Sequence, residues 1–266
     1  MTEALPPILL VGGGKMGGAM LAGWRERGLS PSVVVDPAAA GLAGPGVVVV
    51  PDVSVVPVGF QPAAVVLAVK PQQAAGVVPA LARLASGAVV LSIMAGPTVA
   101  RIGGWLGDAA IVRAMPNTPA AIRQGITVAF AGPGVGMAQR ALCDALLASI
   151  GEVAWVDDEG LIDAVTAVSG GGPAYVFLLT ELLERAAAEQ GIPPDLARRM
   201  ARVTVAGSGA LLAASGQDAS ALRVAVTSPG GTTERALAVL MADDAWPALV
   251  SRAVDAATRR SRELAG

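Results

Sequence analysis

Gly12, Gly14 and Gly17 lie in Val11-Gly12-Gly13-Gly14-Lys15-Met16-Gly17, a G-x-G-x-x-G run between a short apolar stretch and a helix-like one. Glycines at this spacing permit a tight turn and let backbone N–H groups approach a pyrophosphate. The helix start that follows offers unpaired amides and the positive end of its dipole. About twenty residues on, Asp36 ends the next strand-like run, where a carboxylate accepts hydrogen bonds from a ribose diol. This context points to a dinucleotide held by Gly12, Gly14, Lys15, Met16, Gly17 and Asp36. It is not a P-loop, because Met16 rather than Ser or Thr follows Lys15. A ribose 2′-phosphate at ~4 Å from Asp36 would meet a like charge costing roughly 1 to 4 kcal/mol, so the acid favours NADH over NADPH. The alternative is an Asp36 turned outward beside Pro37 as a turn residue.

The chemistry available to such a cofactor is narrowed by what the chain lacks. There is no histidine, lysine occurs only at positions 15 and 70, and Tyr175 is the one tyrosine. Oxidation of an alcohol needs a group to take the hydroxyl proton. A histidine base is impossible, Leu179 stands where a Tyr-x-x-x-Lys pair would need lysine, and no lysine follows Lys70. Cys143 sits in an apolar helix pattern and reads as core. What remains is hydride addition to an electrophile that needs little acid–base help, such as a protonated imine, which already carries the charge that hydride quenches. The candidates for holding an anionic substrate group are in the second half. Ser228-Pro229-Gly230-Gly231-Thr232-Thr233 is a turn entering a helix, whose amides and hydroxyls suit a carboxylate, or else a plain loop with a threonine cap. Ser169–Tyr175 is similar: close helix packing or a wall of the site.

These residues must be positioned by two kinds of architecture. Up to about residue 155, short β-branched runs alternate with helical stretches. Strands are expected at 8–11, 32–36, 47–50, 64–69, 88–93, 110–115, 126–130 and 152–156, with helices over 15–27, 72–85, 99–106 and 135–149. Alternation of this kind means a doubly wound, parallel sheet. Beyond Asp157 the periodicity is helical, over 161–167, 174–190, 195–214, 233–241 and 246–264. The expected fold is therefore α/β, with a Rossmann-type dinucleotide domain over 1–157 followed by an all-helical domain over 158–266. Helices apolar around much of their circumference, such as 203–214, need cover, so the helical domain is expected to dimerise.

Hydrophobic residues make up 53% of the 266, which raises the question of a membrane. The uncharged windows 84–100 and 164–180 reach only about the lower limit for a span and contain Gly, Pro, Ser or Thr, so a soluble protein is expected. The sequence opens without a basic, cleavable leader, and a single cysteine fits a reducing compartment such as the cytoplasm. A net charge of −2 implies no basic surface for nucleic acid, and nothing suggests a metal.

Several segments together resemble the pyrroline-5-carboxylate reductase family. They are Ala68-Val69-Lys70-Pro71-Gln72, Val112 to Pro119 (Val-Arg-Ala-Met-Pro-Asn-Thr-Pro), Leu161 to Thr166 (Leu-Ile-Asp-Ala-Val-Thr), Ser169 to Phe177, and Val226 to Thr233. The resemblance follows the family's order and spans nearly the whole chain. It implies reduction of a cyclic imine carboxylate to L-proline, the last step of proline biosynthesis. It further implies NADPH as a common cofactor, a homodimer with its active site between the domains, and further assembly, often a decamer. By that likeness Ala68, Val69, Lys70, Pro71, Met94, Ala95 and Asn117 lie around the cofactor. Ser228, Gly230, Gly231, Thr232 and Thr233 hold the substrate, with Thr233 on the imine nitrogen and Glu159 a further substrate-side candidate. Lys15 stands where the family often has Asn or Gln, Gly171 replaces a usual Ser, and Val224-Ala225 replaces a polar pair. The alternatives are a reductase of another cyclic imine carboxylate and a non-catalytic dinucleotide sensor.

Overall fold

The computed structural model of the chain describes residues 4–265. Eight strands are present: β1 (Ile8–Val11), β2 (Ser32–Val35), β3 (Val47–Val50), β4 (Ala64–Leu67), β5 (Val89–Ser92), β6 (Ala110–Met115), β7 (Gly125–Ala131) and β8 (Gly151–Val156). They form one sheet in the order β3-β2-β1-β4-β5-β6-β7-β8. The central strands are buried along their whole length, as expected when helices cover both faces of a parallel sheet. Successive residues point to opposite faces. In β1, Leu10 joins a core with Met20, Leu21, Trp24, Leu146 and Leu147, while Leu9 and Val11 join the opposite one with Leu81, Ile102 and Ile111.

Two strands depart from the expected parallel order, running opposite to the first six. β7 runs antiparallel to β6, and β8 is parallel to β7. The β6–β7 link, residues 116–124, contains only a 3-10 turn (Thr118–Ile122), too little chain for the crossover that a parallel neighbour needs.

The helices of this part are α1 (Lys15–Glu26), α2 (Pro71–Val77), α3 (Ala82–Ala85), α4 (Val99–Leu106), α5 (Met137–Leu147) and α6 (Leu161–Val165). The single helix expected over 72–85 is instead α2, a 3-10 turn over Val78–Leu81, and α3. Pro79 explains the interruption, since it has no N–H to give and crowds the preceding turn. After α6 the helix widens into a π-type turn over Thr166–Gly170. The remaining helices are α7 (Gly172–Glu189), α8 (Pro194–Ala214), α9 (Ala219–Ala225), α10 (Thr232–Leu240) and α11 (Trp246–Ala265). α9 was not expected; at seven residues it is too short to display a period.

By contacts the described chain divides in two: residues up to Gly170 together with those from Ala257 onward, and Gly171–Ala256. The first unit thus extends beyond 157 and takes in the last turns of α11. α6 packs on β6 and β7, and Ser261 of α11 donates a 2.6 Å hydrogen bond to Asp163 of α6. In the second unit only Ala197 and Ala201 are buried among the described residues, while Phe177, Leu178, Met200, Val203 and Leu211 are exposed. One run, Leu161–Glu189, is also long and apolar enough to cross a membrane, with 17% of its most apolar window buried. Within it α6, the π-type turn over Thr166–Gly170 and α7 follow one another, with Gly171 between the last two.

Cys143 is fully buried, and desolvation, followed by the Asp144 charge, pushes its thiol up to about 12. It stays protonated at ordinary pH, and the thiolate is the nucleophile. An aromatic disulfide reagent at pH 8 is therefore expected to titrate no thiol in the native protein and one per chain after denaturation. Fast native labelling would contradict the packing of α5.

Candidate active site

The glycine loop joins β1 to α1, and its three motif glycines are needed for different reasons. Gly12 has φ +101°, and a Cβ on it would lie 2.6 Å from the carbonyl of Ala68 at the end of β4. A Cβ on Gly17 would lie 2.1 Å from the Gly12 carbonyl oxygen, so this glycine lets α1 pack against the turn. Gly14 is different: it has an ordinary negative φ and no atom within 4 Å of a built Cβ. Neither backbone strain nor internal packing requires a glycine there, and the space beside it is open.

Gly14 caps α1 without a side-chain bond, and no acid occupies the first turn. The amides of Lys15, Met16 and Gly17 precede the first intrahelical acceptor and point out of the helix end, whereas Gly18 N–H already donates to the Gly14 carbonyl at 2.7 Å. Lys15 is exposed at the same end. Amides, dipole and ammonium together suit an anion, and the residues present fit a dinucleotide pyrophosphate.

Asp36 follows β2 and turns towards this loop. Its Oδ2 accepts from Gly13 N–H at 2.6 Å and its Oδ1 from Ala38 N–H at 2.8 Å. The outward orientation is thereby excluded. Each oxygen keeps a further lone pair, so the carboxylate braces the loop and remains an acceptor.

The other cofactor candidates come from the carboxyl ends of neighbouring strands, the edge at which open α/β sheets bind ligands. Ala68 and Val69 follow β4, and Lys70 is exposed as the cap of α2, with Pro71 at its first position. Met94 and Ala95 follow β5. Met94 is 3% exposed and its side chain belongs to the core, so only its backbone is presented. Asn117 follows β6, and its Oδ1 accepts from Ile126 N–H at 3.0 Å, closing the β6–β7 link. A Cβ on Gly170 would come to 3.0 Å from Cε at the flexible end of Met115.

In the second unit, Ser228–Gly231 form a β-turn closed by Gly231 N–H on the Ser228 carbonyl at 3.0 Å. Gly230 at φ +72° takes the position that requires glycine. The turn delivers Gly231 as the cap of α10, so Thr232 and Thr233 open the helix with amides lacking intrahelical acceptors. Gly230 N–H is taken at 2.9 Å by Oε2 of Glu234, an acid in the first turn of α10, and the amides of Thr232, Thr233 and Glu234 remain open to an acceptor.

Glu159 is tied into the fold through one of its two oxygens. Its Oε1 accepts from Val99 N–H at 2.8 Å and from Arg113 Nη1 at 3.2 Å. Arg113 is 2% exposed, and its Nη2 lies 3.7 Å from Asp163 Oδ1. No role had been assigned to Arg113, although the signal was in view: it is the one charge in the strand Ala-Ile-Val-Arg-Ala-Met, and a charge in a sheet covered on both faces requires a partner.

Two family models match the chain. One describes pyrroline-5-carboxylate reductase dimerisation and covers residues 159–264. The other describes a coenzyme F420-dependent NADP oxidoreductase and covers residues 7–96. Pyrroline-5-carboxylate reductase of Pseudomonas aeruginosa is 39% identical over 98% of this chain and 97% of its own length. The chain belongs to the pyrroline-5-carboxylate reductase family. Among solved members, that of Coxiella burnetii is 35% identical, with a TM-score of 0.89 over 98% of this chain and 99% of its own. The Plasmodium falciparum pyrroline carboxylate reductase, solved with NADP bound, shares the fold at 24% identity, a TM-score of 0.84 and 99% coverage of both chains.

Proposed function

We propose that the protein reduces pyrroline-5-carboxylate to L-proline with a nicotinamide dinucleotide. Besides family membership, one observation carries this reading. The turn at Ser228–Gly231 leaves the Thr232 and Thr233 amides for an anion, in a chain with no histidine and no lysine beyond Lys70. Such a site can hold a carboxylate but offers no strong base, which suits a substrate whose electrophile arrives charged.

The glycine loop and the start of α1 hold the pyrophosphate, Asp36 the adenosine ribose, and the backbone at Ala68–Pro71 and Met94–Ala95 with Asn117 flanks the nicotinamide. The bound cofactor supplies the hydride. Ser228, Gly230, Gly231, Thr232 and Thr233 form the substrate loop, in which the two threonines receive the carboxylate and the Thr233 hydroxyl holds the ring nitrogen. Hydride adds to the adjacent ring carbon, the C=N π pair moves to nitrogen, and the nitrogen keeps its proton. Orientation, rather than proton transfer, supplies most of the rate. Glu159 serves the fold around the cofactor and is left out of the substrate contacts.

The carboxylate of Asp36 favours NADH over NADPH by about tenfold. The functional division is a dinucleotide domain over 1–157 and a helical domain over 158–266, the latter joining two copies. The exposed apolar side chains of α7 and α8 support a homodimer, a unit from which a decamer can be built, acting in the cytoplasm on a small molecule.

The test follows loss of reduced-nicotinamide absorbance with pyrroline-5-carboxylate and NADH or NADPH, beside Thr233→Ala. Oxidation is expected, about tenfold better with NADH, and the variant should lose about tenfold to a hundredfold in kcat/KM. A protein that binds dinucleotide but oxidises neither cofactor would sink the reading and favour another cyclic imine or a sensor.

A further inference from the structure

The buried Arg113 is larger in consequence than one ion pair. Three chain segments converge on its acids, all within the unit that carries the glycine loop. Arg113 lies two residues before the end of β6, whose following link carries Asn117. Through Glu159 Oε1, which accepts from Arg113 Nη1 and Val99 N–H, the same cluster grips the first amide of α4. That amide opens α4 directly after the link from β5, residues 93–98, which carries Met94 and Ala95. Asp163, 3.7 Å from Arg113 Nη2, accepts from Ser261 of α11. The last turn of α11 meets the β5–α4 link as well: a Cβ on Gly96, which has φ +98°, would lie 3.0 Å from the Leu264 carbonyl oxygen. Arg101 Nη1 donates to the Ala265 carbonyl at 3.3 Å.

Two acids thus share one arginine, and Arg113 Nε and Nη2 have no hydrogen-bond partner among the described residues. Removing a partner from a buried charge is strongly destabilising, whereas an apolar replacement of the whole group is often harmless. The cluster ties the link following β5 to the strand whose following link carries Asn117, and so acts on where those links lie. Asp36 assigns the adenosine to the β2 side of the glycine loop, so the other end of a dinucleotide extends over β4, β5 and β6.

We infer that Arg113 and Glu159, backed by Asp163 and Ser261, are positioning residues for the nicotinamide half of the cofactor. Glu159 holds the α4 end of the Met94–Thr98 link, Arg113 holds Glu159, and the end of α11 closes the link from outside. This rests on the cofactor reading above, but not on the identity of the imine.

The experiment compares binding of NADH with that of ADP-ribose, which has the adenosine, pyrophosphate and second ribose but no nicotinamide, by calorimetry on the full-length protein. Glu159→Ala is expected to weaken NADH about tenfold and leave ADP-ribose within about twofold. Glu159→Gln, whose amide oxygen still accepts from Val99 N–H, should recover most of the NADH affinity. Should Glu159→Ala fail to fold, Ser261→Ala reads the same split at about twofold to threefold. Equal weakening of both ligands, or no weakening of either, would overturn the inference while leaving the cofactor reading intact. Wild-type protein that bound neither ligand would overturn both.

Discussion

Gly14→Ala is expected to fold like the wild type and to lose NADH, whereas Gly12→Ala loses both. At Gly14 a methyl group meets nothing within 4 Å and the backbone has an ordinary φ, so thermal unfolding should shift by no more than about 2 °C. The same methyl stands in the space through which a pyrophosphate reaches the amides of α1, and NADH affinity should fall by about a hundredfold or more. At Gly12 alanine must adopt φ +101° and place its Cβ 2.6 Å from the Ala68 carbonyl. The left-handed conformation alone costs about 1–2 kcal/mol, and the clash displaces the turn from β4. Fluorescence titration with NADH beside thermal unfolding separates the two. A Gly14→Ala protein that binds NADH as tightly as wild type would show that the open space serves no ligand.

Phe177→Glu is expected to convert a homodimer into a monomer and to abolish turnover. Phe177 is 61% exposed on α7, among other exposed apolar side chains, in a unit with only Ala197 and Ala201 buried among its described residues. An 86-residue helical unit with so little burial of its own needs cover, and the proposed homodimer supplies it. A carboxylate in the middle of that contact would be desolvated without a partner, at a cost of at least about 2 kcal/mol. Sedimentation should show one chain per particle, and kcat/KM should fall more than about tenfold. Phe177→Leu should remain dimeric. A wild-type protein that sediments as a stable monomer would remove the basis for this expectation, and would return attention to the apolar run Leu161–Glu189 as a membrane contact.

Much of the fold was legible because its signals are local. The apolar runs of β1 and β3, the mostly apolar β6 and the helix α4 appear at the expected bounds, since short β-branched runs and the helical period both show within a few residues. The glycine loop was readable for the same reason: a strand, a positive-φ turn and a helix start fit within a dozen residues. Absence was equally legible, because a chain without histidine excludes a histidine base in any fold.

What the tertiary structure decided involves partners distant in sequence. The direction of β7 follows from the length of a link and could have been suspected, but its pairing with β8 across α5 could not. Asp36 could face the loop or the solvent, and a hydrogen bond across 23 residues settles it. Met94 looked like a cofactor contact, yet its side chain completes the core. Glu159 gives one oxygen to Arg113, 46 residues away, and Asp163 meets Ser261 across 98. Composition and period specify which face of an element is apolar and where a turn must bend. They carry no information on which charge a buried charge will find, because that partner is chosen only when strands and helices have closed the space between them.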